Sequence, residues 1–217
     1  MIPVIGFAGK SGSGKTTVLA AVVRELKARG LRLAVIKHTR HAASSLDTPG
    51  KDTAVHFEAG ADAVALATGA QVGMYMRVAE PWSVEEVARL FPDVDLVLVE
   101  GDHEAQIPKL WIMRRGVNEE MPDPHGLIGF ITDLDPSTEL PVFRFNDVGR
   151  IADLCNDYVR RLGPKRDVSL WVNGRRVMIK PFIKDFFLNT ISAMVASLRD
   201  TEGAQRIEIR IEKPEGE

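Results

Sequence analysis

One cysteine, Cys155, stands in the 217 residues. An intrachain disulfide and a cysteine-only zinc site are therefore both excluded, and a reducing cytoplasm is the expected compartment. No run of about 18 apolar residues occurs, so no membrane span is expected. The apolar stretch at residues 2–8 runs straight into glycines, whereas a secretory leader needs a basic start and a longer apolar region. Charge of one sign is also missing: 28 Lys and Arg face 30 Asp and Glu, a net charge of −2. Proteins built around nucleic-acid phosphates carry a basic excess instead. Internal repeats, low-complexity segments and the Asn-Lys-x-Asp signature for guanine are all absent.

What is present is ordinary globular composition, 45% apolar and 27% charged, in a length that suits one sizeable α/β domain with a small module attached. Residues 3–8 read as a buried strand. Val18, Leu19, Val22, Val23 and Leu26 recur at helical spacing until Gly30 stops the pattern. Strands follow at 31–36, 63–67, 72–78, 95–100, 109–113, 127–131 and 142–145, and helices at 53–60, 84–90 and 148–162. Strands alternating with helices predict a largely parallel sheet with right-handed crossovers. Residues 37–52 read as a long loop, which inside a compact domain tends to be functional. After 163–165 the pattern changes. Asn173-Gly174 between two apolar runs spells a hairpin, then come an amphipathic helix and an alternating strand at Ile207, Ile209 and Ile211. The expected organisation is a P-loop domain over 1–163 and a ββαβ module over 167–217.

Gly9, Lys10, Ser11, Gly12, Ser13, Gly14, Lys15 and Thr16 match G-x-x-x-x-G-K-[ST] at every fixed position, between an apolar strand and an amphipathic helix. The glycines let successive N–H groups converge on one anion, and the helix dipole adds to them. The motif predicts a purine nucleoside triphosphate with magnesium, Lys15 on the β- and γ-phosphates and the Thr16 hydroxyl on the metal. The apolar run from Asp95 ends in Glu100 and Gly101, which puts Glu100 at the crevice end of its strand and Asp95 at the far end. Asp52 closes the long loop, where it serves as helix cap or approaches the γ-phosphate. His38, His41, His56 and Asp47 offer metal-ligand chemistry, although such residues more often hydrogen-bond within a polar loop or contact an anionic ligand. His103 and Lys109 follow the Glu100 strand and either touch a ligand or are solvated. Trp111 alternates with apolar neighbours and reads as packing. Thr132-Asp133 ends a strand, as a turn or as a base-reading carboxylate.

Taken in order, the segment from Gly9 to Thr17, Val35-Ile36-Lys37-His38, Asp47-Thr48-Pro49-Gly50-Lys51-Asp52, Ala59-Gly60-Ala61 and Leu96 to Gly101 followed by Pro108-Lys109 resemble the MobB family, the molybdopterin-guanine dinucleotide biosynthesis adapter proteins. The resemblance spans residues 2–162. It implies GTP binding, weak GTPase activity, a homodimer, and assistance to the guanylyltransferase that joins GMP to molybdopterin, with molybdopterin as a further ligand. It also implies that residues from Gly12 to Thr17 hold phosphate, that Asp52 and Glu100 surround the magnesium, and that Lys37 and His38 border the nucleotide or the pterin phosphate. Members commonly carry Phe-Lys after the Glu-Gly pair, where this chain has Asp102-His103. Lys10 is either a solvated lysine that falls in the loop or, by placement, similar to the second lysine of dimeric P-loop ATPases of the MinD and nitrogenase-iron-protein type, which acts across a subunit interface. Ser11 stands where those ATPases have glycine. Two other activities fit a P-loop: a stand-alone small-molecule kinase or ligase, and a metallochaperone-like GTPase using the histidine loop.

Overall fold

The computed structural model describes residues 2–39, 52–102, 104–122, 125–162, 168–173, 175–201, 203–204 and 207–211. His41, Asp47 and His103 lie outside the described residues, as does most of the 37–52 loop. The chain divides into two compact units after Arg161.

The first unit is built on a six-stranded sheet in the order β2-β5-β1-β6-β7-β8, every adjacent pair parallel. Its strands are β1 (Val4–Ala8), β2 (Leu33–Lys37), β5 (Leu96–Glu100), β6 (Lys109–Met113), β7 (Leu127–Thr132) and β8 (Val142–Phe143). Alternation along each strand sorts the side chains between two faces. Ile5, Phe7, Leu96, Leu98, Leu110, Ile112 and Ile131 meet helices α1 (Lys15–Ala28) and α4 (Val148–Leu162) in one cluster. Val4, Ala34, Ile36, Val97 and Val99 meet the short α3 (Val84–Ala88) in the other. Both faces of β5 are thus covered, which explains its unbroken run of Leu and Val. The expected helix over α1 buries Val18, Leu19, Val22 and Leu26, each side chain worth about 2 kcal/mol relative to exposure. It ends where Gly30 takes φ 88°, a conformation glycine adopts without strain. Helix α3 opens with a reciprocal cap: the Ser83 hydroxyl accepts from the Glu86 N–H at 3.2 Å and the Glu86 carboxylate accepts from the Ser83 N–H at 2.7 Å.

Two expected strands leave this sheet. β3 (Ala63–Ala67) and β4 (Val72–Met76) pair, among the described residues, only with each other, antiparallel, after helix α2 (Asp52–Glu58). Leu66, Val72 and Met74 on this hairpin are exposed, so it carries apolar surface that the parallel core does not use.

The second unit holds the Asn-Gly hairpin, β9 (Leu170–Val172) against β10 (Arg175–Val177), and helix α5 (Pro181–Ala196). Asn173 sits at φ 49°, as the turn requires. Residues 207–211, the last strand of the expected ββαβ module, pair with no strand among the described residues. Alternation of three isoleucines provides a strand's faces but no partner edge, and without a ladder the pattern alone does not make a strand. Among the described residues no helix is long and apolar enough to cross a membrane.

Cys155 lies fully buried in the larger cluster, and burial pushes its thiol up to about 12. The native protein should therefore react with a disulfide reagent at neutral pH at least about a hundredfold more slowly than the protein in urea. Stopped-flow thiol titration with and without urea measures this, and rapid native reaction would show that the α4 face opens readily.

Candidate functional site

The carboxyl end of β1 passes into α1 through the glycine loop. Gly9, Gly12 and Gly14 all take positive φ, at 150°, 76° and 97°. A Cβ on Gly9 would lie 2.5 Å from the Ile112 carbonyl oxygen of the neighbouring β6. The loop is thus pressed against the sheet at its start and glycine is required there by contact. Gly12 faces open space, so its requirement is conformational only. Gly14 is the N-cap of α1 and makes no side-chain cap bond, leaving the first N–H groups of the helix directed at the loop. Ser13 is fully buried within the loop and its hydroxyl has no hydrogen-bond partner among the described residues. An orphaned buried hydroxyl in a glycine cradle fits an oxygen-rich anion as its missing partner.

Lys15 curls back along the loop, and its Nζ donates to the carbonyls of Gly9 at 2.8 Å and Lys10 at 2.7 Å. Burial lowers its pKa, Glu100 acts to raise it, and Lys37 adds to the lowering. The ammonium thus sits among one carboxylate and another cation at the mouth of the loop. Thr16, one residue on, donates its hydroxyl to Glu100 Oε1 at 2.6 Å. Glu100 ends β5 and is buried. A hydroxyl and a buried carboxylate meeting beside a phosphate loop form the oxygen donor set that a hard divalent cation takes. Thr17 follows on the exposed first turn of α1.

Lys37 pairs with Glu100 in the β2–β5 register, and both stand at the carboxyl ends of their strands. The His38 N–H donates to the Glu100 carbonyl at 2.9 Å, and its Nδ1 lies 3.8 Å from Asp102 Oδ2. Gly101 takes φ 95°, and a Cβ there would fall 2.6 Å from the His38 carbonyl oxygen. Close passage of the two strand ends is what demands glycine after Glu100. The Asp102 that departs from the family pattern sits at φ 43° and caps the next turn, accepting from the Ala105 N–H at 3.1 Å. Lys10 is exposed and lies 3.8 Å from Glu120.

Asp52 is the first residue of α2 and is exposed. Among the described residues, Glu100 is the carboxylate that contacts Thr16. Asp95 stays at the far end of β5, held by Arg32 at 2.9 Å. Asp133 accepts from the Arg115 N–H at 2.9 Å, which is a turn role. His56 lies within α2, and no group of three His, Cys, Asp or Glu able to hold a metal occurs among the described residues.

One residue escaped the sequence reading. Arg114 stacks its guanidinium on Phe145 at 4.5 Å, and a Cβ on Gly14 would lie 3.1 Å from its Nη2. It brings a cation to the cap of α1. The only signal in the sequence is an Arg-Arg pair after a strand, which by itself reads as solvated charge.

The sequence profile of MobB, molybdopterin guanine dinucleotide synthesis protein B, matches residues 4–133. A molybdopterin-guanine dinucleotide biosynthesis adapter protein of Haemophilus influenzae is 33% identical over 161 residues, covering 73% of this chain and 90% of the relative. The adapter protein of that name from Escherichia coli is 32% identical over 171 residues, covering 74% of this chain and 95% of the relative. The crystal structure of Bacillus subtilis MobB superposes with a TM-score of 0.59 at 25% identity, covering 72% of this chain and 98% of that one. These relatives are spanned almost whole by about three quarters of the chain.

The two glycines make contrasting predictions. Gly9→Ala adds a clash with the Ile112 carbonyl to backbone strain and should cost about 2–4 kcal/mol. Gly12→Ala meets nothing and should cost only about 1–2 kcal/mol. Urea denaturation of both variants checks the order, and equal losses would show that the loop is not pressed on β6.

Proposed function

The chain belongs to the MobB family, the molybdopterin guanine dinucleotide synthesis proteins, and on that premise we propose that it is a GTP-binding adapter. In this reading it assists the guanylyltransferase that attaches GMP to molybdopterin, without performing the transfer. The observation that carries the reading is the 2.6 Å bond between the Thr16 hydroxyl and Glu100 at the mouth of a complete P-loop. It supports a triphosphate held with a divalent cation. The described site is rich in groups that bind phosphate, and the relatives are named biosynthesis adapter proteins, which favours an adapter over a stand-alone kinase.

The residues divide the work by charge. The loop N–H groups from Gly12 to Thr17 and the Ser13 hydroxyl bind phosphate oxygens, and Lys15 leaves its two carbonyl partners to pair with the β- and γ-phosphates. Thr16 and Glu100, with Asp52 from the start of α2, are the proposed holders of Mg²⁺, which would supply charge neutralisation for the bound phosphates. Lys37 and His38 border the nucleotide or the pterin phosphate from the end of β2, and Gly101 allows that approach. Lys10 is proposed to add positive charge from a second copy of the chain during a weak GTP hydrolysis. The exposed apolar residues of the β3–β4 hairpin, Leu66, Val72 and Met74, support a homodimer.

Lys15→Ala should abolish GTP binding in calorimetry while leaving the circular dichroism unchanged, because Lys15 neutralises phosphate rather than filling the core. Glu100→Gln and Asp52→Asn should raise the Mg²⁺ concentration needed for half-maximal binding by about tenfold, and weaken metal-free GTP binding far less. Lys10→Ala should slow turnover by about a hundredfold with little loss of affinity, and wild-type turnover per subunit should rise with concentration. Unchanged titrations in these variants would remove the corresponding assignment.

The adapter role itself is tested by reconstitution. Adding the full chain to a purified guanylyltransferase, molybdopterin, GTP and Mg²⁺ should raise the yield of guanine-dinucleotide cofactor. The chain alone should form none. A yield indifferent to the chain, or product formed without the transferase, would sink the reading.

A further inference from the structure

The two faces of the sheet are not equally covered. Helices α1 and α4 roof one face across β1, β5, β6 and β7. On the other face, among the described residues, the covering helix is the five-residue α3, and the buried cluster beneath it ends at Ile107. On that uncovered side of β6, opposite Leu110 and Ile112, lie Lys109 and Trp111. A cleft of about 580 Å³ opens there, and Lys10 of the P-loop forms part of its wall. Its size suits a bound small molecule.

Several features build this cleft. The Lys109 stem is buried between two glycines. A Cβ on Gly6 would lie 3.1 Å from Lys109 Cβ, and one on Gly126 would lie 3.6 Å from Lys109 Cε. Gly6 is unusual in the middle of a central strand, where glycine costs backbone entropy, and the close approach of Lys109 accounts for it. The Lys109 Nζ donates to the Ala105 carbonyl at 2.6 Å, and burial lowers its pKa while Asp102 acts to raise it. Asn118 is buried and fixed, donating to the Ile112 carbonyl at 2.8 Å and accepting from the Arg114 N–H at 3.1 Å. It anchors the segment that returns along β6 and brings Glu120 to the rim, 3.8 Å from Lys10.

Trp111, which reads as packing in the sequence, is only half-buried and forms part of the wall. The cleft lining also includes carboxylates, Glu104 and Glu120, together with donors, Lys10, Lys109 and Gln106. A lining of both kinds about one aromatic wall suits a planar ring that carries N–H donors and carbonyl acceptors on its edge. A carboxylate is complementary to an N–H and an NH₂ side by side, and repelled by a ring nitrogen lone pair. The 2-amino-4-oxopyrimidine edge has the first arrangement and adenine the second.

We propose that this cleft is a second ligand site, which stacks a fused 2-amino-4-oxopyrimidine ring, from a pterin or a second guanine nucleotide, on Trp111 beside the P-loop. The proposal rests on the adapter reading for its purpose. Such a site would hold the ring within reach of a triphosphate bound at the loop, with Lys10 and Glu120 between the two.

The test uses calorimetry on the full chain with its P-loop saturated by a non-hydrolysable GTP analogue and Mg²⁺. Pterin-6-carboxylate, GMP and AMP are then titrated in turn. Pterin-6-carboxylate or GMP should bind with one equivalent, at least about tenfold more tightly than AMP, and the stronger of the two identifies the source of the ring. Trp111→Leu and Glu104→Gln should each weaken that binding by about tenfold and leave the affinity for the GTP analogue within about twofold. Glu104 is exposed, so its variant reports even if Trp111→Leu fails to fold. Displacement of the GTP analogue by pterin-6-carboxylate, equal binding of AMP, or no change in the Glu104→Gln variant would overturn the proposal. Failure of the GTP analogue to bind, with pterin-6-carboxylate still bound, would instead remove the nucleotide reading and leave the cleft.

Discussion

Strand β1 lies at the centre of the sheet, parallel to β5 on one side and β6 on the other, and this placement governs the chemistry around it. In register Phe7 stands beside Glu100, so one residue type at the end of β5 meets the P-loop that begins just beyond Ala8. On the opposite side the Ile112 carbonyl presses on Gly9 and sets the height at which the loop leaves the sheet. Parallel pairing puts all the carboxyl ends at one edge, so the phosphate loop, Glu100 and the Lys37-His38 pair converge from three separate stretches of the chain. Shifting β5 by one residue would turn Glu100 to the other face and part it from Thr16.

Charge is concentrated at this edge although the chain as a whole is nearly neutral. Lys15, Lys37 and Arg114 gather around the loop, with Glu100 the buried carboxylate between them. Desolvation lowers the pKa of Lys15, and a bound triphosphate would compensate that cost by direct pairing. The same economy holds for Ser13, whose buried hydroxyl lacks a partner among the described residues. Such groups are tolerated in a folded protein where a ligand completes them.

The uneven roofing of the sheet has a plain cause in the lengths of its helices. α1 has 14 residues and α4 has 15, about four turns each, while α3 has five. A helix that short shields β2 and β5 but not the far side of β6. Lys109 and Trp111 are consequently left at a cleft wall rather than in a core, and Gly6 and Gly126 shape the floor on which the lysine lies.

Much of the main unit was legible in the sequence because its signals are local. Hydrophobic runs mark β1 and β5, helical spacing marks α1, and the glycine loop announces phosphate binding by backbone geometry alone. The ordered set from Gly9 to Lys109 also carries the resemblance to the family in the sequence itself. Pairing is different, since a strand's partner is decided by surfaces that lie far apart in the chain. The apolar alternation of β3 and β4 could not say that they pair with each other away from the main sheet. The isoleucines at 207–211 could not supply themselves an edge. Trp111 carried the pattern of a packed residue, and only the short reach of α3 leaves it at a cleft. Arg114 gained meaning from Gly14 and Phe145, each about 30 or more residues away along the chain. By itself the sequence determined which backbone could cradle a phosphate. The tertiary structure alone decided which side chains stand around that cradle, because parallel register and unequal helix cover are properties of the assembled sheet.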